Sequence, residues 1–65
     1  MEPSIHDFLA KSLLNEQELV RDYQRFAQKI DDAEIAESFR HWAEEDGLRA
    51  HKIESFLHRI KGKEN

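Results

Sequence analysis

The sequence predicts an all-α protein: two long amphipathic helices folded back on each other as an antiparallel hairpin. Three observations carry this. Apolar residues recur at helical spacing over two long stretches. Only two Gly and one Pro are available to interrupt them. A single acidic dipeptide, Asp31-Asp32, separates the stretches, and a connection that short forces the chain to reverse.

The first helix is expected from about residue 5 to about residue 30. Met1-Glu2-Pro3 reads as a short leader, Ser4 as the N-cap, and Asp7 as the acidic residue that completes a shortened capping box and suits the positive helix end. Ile5, Leu9, Leu13, Val20, Tyr23, Ala27 and Ile30 then form one stripe, flanked by Phe8, Leu19 and Phe26, over about 39 Å at 1.5 Å per residue. Asp31 or Asp32 can cap the second helix, and Glu34 adds negative charge to its first turn. With a turn at about 31–33, that helix is expected from about residue 34 to about residue 61. Its stripe is Ile35, Phe39, Trp42, Ala43, Ala50, Ile53, Phe56, Leu57 and Ile60. Gly62 is suited to the position just past its end, where Arg59, Lys61 and Lys63 complement the helix dipole. Gly47 inside the helix costs up to about 1 kcal/mol relative to Ala, and either allows close packing or sits on the surface.

Sixty-five residues make a single domain, 1–65, with a small core. There is no Cys, so neither a disulfide nor a thiolate metal site exists. The net charge of −4 and the lack of a basic cluster argue against nucleic acid as partner. No apolar run approaches the roughly 20 residues that span a bilayer, and no signal-peptide pattern opens the chain, so the expected location is the cytoplasm, away from membranes. A lone hairpin covers one side of each apolar stripe. Two hairpins face to face would close a four-helix bundle, so a two-fold homodimer is expected.

Two acidic residues interrupt the stripes. Written in heptads, the central line of the first helix is Leu9, Glu16, Tyr23 and Ile30, and that of the second is Phe39, Asp46, Ile53 and Ile60. Glu16 lies about as far before the turn as Asp46 lies after it, so the hairpin sets them at one level, with Arg49 one turn further on. Unpaired buried carboxylates are costly, so a metal, protons or the arginines must neutralise them. His51, His58 and Glu44 fall on the opposite, solvated face. His6 and His41 have no convincing partners, and no Ser–His–acid set or phosphate loop can be assembled.

These residues carry a resemblance. Glu16-Gln17-Glu18-Leu19-Val20-Arg21-Asp22-Tyr23, followed by Phe26-Ala27, resembles the Glu-x6-Tyr signature of the first helix of ferritin-like and rubrerythrin-like proteins. Ile35-Ala36, Phe39 and Ala43-Glu44-Glu45-Asp46-Gly47-Leu48-Arg49-Ala50 resemble the helix that follows, which in the family carries Glu-x-x-His-Ala. The match covers one hairpin, half of a ferritin-like bundle, and is similar to encapsulated ferritins that build a metal site between two chains. The resemblance implies Glu16 as a metal ligand, Tyr23 as a residue supporting the site and Asp46 in the place of the bridging Glu. Arg49 stands where the family has its ligand His, and a guanidinium has no lone pair to offer iron.

Two functions follow as expectations. The first is a ferritin-like homodimer whose di-iron site is degenerate. Glu16, Asp46 and Arg49 then form a salt-bridged layer in the bundle core, no cofactor is bound, no catalysis occurs, and the chain acts as a structural or interaction module. The alternative is an iron-binding, ferroxidase-like protein with a carboxylate site of Glu16 and Asp46 at the dimer interface, where hard oxygen ligands suit iron. A third, less favoured, is a module whose apolar face takes helices from a different protein.

Overall fold

The computed structural model describes residues 4–63 and contains two helices, α1 (Ile5–Lys29) and α2 (Ala33–Lys63), packed as an antiparallel hairpin. The leader Met1-Glu2-Pro3 lies outside the described residues. Ser4 caps α1 as its sequence position suggests: its backbone is extended, and its hydroxyl oxygen accepts the Asp7 N–H at 3.3 Å. At the other end Ile30 leaves the helix with φ −86° and ψ 137°, while its N–H still donates to the Phe26 carbonyl at 3.0 Å.

Of the two aspartates in the turn, Asp32 is the cap. Its Oδ1 accepts the N–H groups of Glu34 at 3.0 Å and Ile35 at 3.1 Å, two of the donors that a helix N-terminus leaves free. The far end of α2 departs from expectation. The helix continues through Gly62 to Lys63, and no described glycine takes positive φ. A glycine permits the left-handed cap without requiring it, and nothing described there forces the chain to turn.

The seam between the helices is built mostly from alanine. Ala36, Ala43 and Ala50 repeat at seven-residue spacing on α2 and are 4–6% exposed, with Ala27 of α1 and Ile53 buried beside them. Of the central line read from the heptads, Asp46 and Ile53 are buried in this seam, while Phe39 and Ile60 are half-buried beside it. Two helices lie closest where their side chains are smallest, so the alanines take the seam and the large residues move to its flank. Among the described residues no large side chain is fully buried.

The displaced apolar residues gather on one face. At 100° per residue, Phe8, Leu19, Phe26 and Ile30 fall within about 40° of arc on α1, and Ile35, Trp42, Phe56 and Ile60 within about 60° on α2. In an antiparallel pair both arcs turn to the same side of the hairpin. Phe8 (64% exposed), Phe26 (51%) and Trp42 (44%) stand largely in solvent there. Arg25 lies 5.5 Å from the Phe26 ring, and Lys52 and Arg59 lie 5.6 and 5.2 Å from the Phe56 ring, so cations rim the face. No helix among the described residues is long and apolar enough to cross a membrane.

Candidate functional site

The hairpin brings Glu16, Asp46 and Arg49 together midway along its length. Arg49 Nη1 donates to Glu16 Oε2 across the seam at 3.2 Å and to Asp46 Oδ1, one turn back on its own helix, at 2.9 Å. The two carboxylates are largely covered, with side chains 17% and 12% exposed, while Arg49 remains 58% exposed. The Glu16 charge, then its hydrogen bond, raises the Arg49 pKa; partial burial opposes the shift, and Asp46 reinforces it. Every covered carboxylate oxygen is partnered or reached by solvent. The layer therefore carries two negative charges and one fixed positive charge on a single chain, and the guanidinium keeps Nη2 and Nε free of partners among the described residues.

Tyr23 sits seven residues nearer the turn than Glu16 and is half-buried. Its ring packs against Phe39 (centroids 5.4 Å apart) and Trp42 (5.7 Å), and Phe39 and Trp42 are 5.8 Å apart. Its hydroxyl makes no hydrogen bond among the described residues. The three rings form a small aromatic cluster on the turn side of the charged layer, at ring distances that favour edge and tilted contacts.

The remaining titratable residues stay on the surface. His41 Nε2 is 3.6 Å from Glu45 Oε2 and His6 Nδ1 is 3.4 Å from Asp7 Oδ1, so both have an acidic neighbour the sequence had not suggested. His51, His58 and Glu44 are exposed. No three His, Cys, Asp or Glu side chains among the described residues converge as a metal-binding group. Gly47 is not a close-approach residue, since a Cβ there would meet nothing within 4 Å.

Among the described residues, two of the hollows lie to either side of the layer along the hairpin. On the open apolar face, at the end away from the turn, a groove of about 300 Å³ lies between Ile5 and Leu9 of α1 and Phe56 and Ile60 of α2. The larger one, about 550 Å³, lies near Ala27, Ala43 and Gly47 and is edged by Gln24, Gln28 and Arg40. Arg49 does not line it, so the charged layer and the largest hollow are separate features.

What sequence reasoning did not single out is the exposure of Trp42 and Phe26. The signal was available in the width of the apolar arcs, which exceed what one two-helix seam can cover. Comparison of the chain with protein-family models, with curated proteins and with solved structures finds no match.

Proposed function

We propose that the hairpin is half of a ferritin-like four-helix bundle completed by a second copy, and that it serves as a structural or interaction module whose metal site has given way to a salt bridge. The observation that carries this is Arg49 Nη1 bonded to both Glu16 and Asp46. In the resemblance to ferritin-like proteins, Arg49 occupies the slot of the ligand histidine and the two carboxylates occupy ligand slots. A guanidinium there supplies the positive charge that a metal would otherwise supply, and it does so permanently. Such a pair contributes modestly to net stability, but it penalises any packing that separates its members.

The open apolar face supports self-association. The molecule measures 50 × 23 × 13 Å, so its broad face is on the order of 1,000 Å², above the roughly 800 Å² that each partner gives to a standard stable interface.

The test is thermal unfolding of metal-free protein with and without Fe(II) under anaerobic conditions. A specific site filled at one hundred times its Kd would add about 2.7 kcal/mol, so it would be visible as a raised midpoint. The expected result is an unchanged midpoint. A rise that disappears in both Glu16→Ala and Asp46→Ala would establish the iron-binding alternative, with both carboxylates as ligands, and overturn the salt-bridge reading.

A further inference from the structure

We propose that His6, Glu54 and His58 hold one divalent transition-metal ion, zinc being the best match, and that the ion staples together the ends of the hairpin away from the turn. This goes beyond the proposed dimer and does not depend on it, since none of the three residues belongs to the layer of Glu16, Asp46 and Arg49. One hollow of about 240 Å³ brings them together, lined by His6 and Leu13 of α1 and by Glu54, Leu57, His58 and Lys61 of α2.

The register of the helices sets the two histidines opposite each other. Residue numbers sum to 62 for the contact of Tyr23 with Phe39, and to 65 for those of Tyr23 with Trp42 and of Glu16 with Arg49. His6 and His58 sum to 64, so they stand at one level on facing helices. Glu54 precedes His58 by four residues, the spacing that sets two side chains about 5–6 Å apart on one helix face. Two imidazoles and a carboxylate are a donor set that holds zinc with water in the fourth position. The three side chains surround the hollow without converging, so closing on an ion takes rotation between side-chain rotamers. His6 is oriented for this. Its Nδ1 lies 3.4 Å from Asp7 Oδ1, and a proton shared there leaves Nε2 with the free lone pair. Lys61 is exposed, and its flexible stem lets the ammonium move into water as the ion enters.

The hairpin is tied covalently at one end only, by its turn. No cysteine is available for a disulfide, and the core buried among the described residues is mostly alanine. A link from His6 to His58 closes a loop of 52 residues, and long loops gain most from closure. Chains with small cores are commonly stapled by a metal, whose binding free energy becomes folding free energy.

The experiment uses the full metal-free chain and Zn(II) alone, read by circular dichroism melts and by zinc stoichiometry in equilibrium dialysis. One zinc per chain is expected, with a melting midpoint about 20 °C higher when free zinc is one hundred times its Kd. His6→Ala and His58→Ala should each abolish the rise. Both side chains are exposed, so both variants should keep the helical signal without zinc. Asp7→Ala should weaken zinc binding about tenfold, while His51→Ala and Glu16→Ala should leave the rise intact. No rise in the midpoint of the wild-type chain would overturn the proposal. A rise that survives His6→Ala and is lost in His51→Ala would place the ion on α2 alone and overturn it as well. A rise that survives His6→Ala and is lost in Glu16→Ala would place the ion in the charged layer, overturning both this site and the salt-bridge reading. Loss in His6→Ala and His58→Ala, with Glu16→Ala unaffected, supports the staple and leaves that reading standing.

Discussion

At 3.2 Å from Glu16 and 2.9 Å from Asp46, Arg49 joins the two helices through a single nitrogen. The Glu16 charge pushes its pKa further above an already high ordinary value. A group whose pKa is raised on folding contributes stability below its unfolded pKa and loses it only as pH climbs through the folded one. For a guanidinium both lie beyond the range in which the fold would be studied, so this contribution should not titrate. The stability difference between the wild-type protein and Arg49→Ala, measured by urea unfolding at fixed protein concentration, should therefore stay flat from pH 7 to about pH 10. A difference that shrinks over that interval would point to a titrating partner other than the guanidinium. The meeting of Glu16, Asp46 and Arg49 was legible in the sequence because an antiparallel hairpin fixes level by counting residues from the turn. The partners of the Tyr23 ring were legible less directly, because periodicity places a residue on a stripe and packing decides which rings meet, here Phe39 and Trp42.

Helix ends and helix interiors respond to different forces, and the two helices show both. Asp32 accepts two N–H groups of α2 through one oxygen, whereas no such bond is made by Asp31. Asp32→Ala should cost about 1 kcal/mol in chemical denaturation and Asp31→Ala should be close to neutral, which separates capping from the general effect of a negative charge near the helix start. Inside α2, Gly47 has a negative φ and open space where a Cβ would go. Gly47→Ala should stabilise the fold by about 0.5–1 kcal/mol, read as a higher urea midpoint with an unchanged slope. Periodicity and caps made these elements legible to within one or two residues. The identity of the seam was less so. A heptad pattern says which residues turn inward, but side-chain volume decides which of them meet, and Ala36, Ala43 and Ala50 are small enough to let the backbones close. The end of α2 was misjudged at Gly62 because a glycine only permits a helix to stop.

With only Ala27, Ala36, Ala43, Ala50, Ile53 and Asp46 buried among the described residues, the hairpin removes little apolar surface from water by itself. Alanines contribute close approach more than burial, and the large side chains that could supply the rest lie on the open face. Folding and association are therefore expected to be one process, in which the hairpin is ordered fully only when its face is covered. The consequence is thermodynamic. When a folded dimer unfolds to two free chains, each tenfold increase in concentration adds about 1.4 kcal/mol to the stability of the folded state. Two chains of this length carry an unfolding entropy near 0.27 kcal/mol/K at about 2.1 cal/mol/K per residue, so the melting midpoint should rise by about 5 °C per decade of concentration. Circular dichroism melts from micromolar to millimolar chain concentration measure this directly. Leu48→Glu, at a side chain 73% exposed on the back of α2, should leave the slope unchanged. A midpoint independent of concentration would mean that the alanine seam and the aromatic cluster suffice for one chain, and that the open face awaits some other partner.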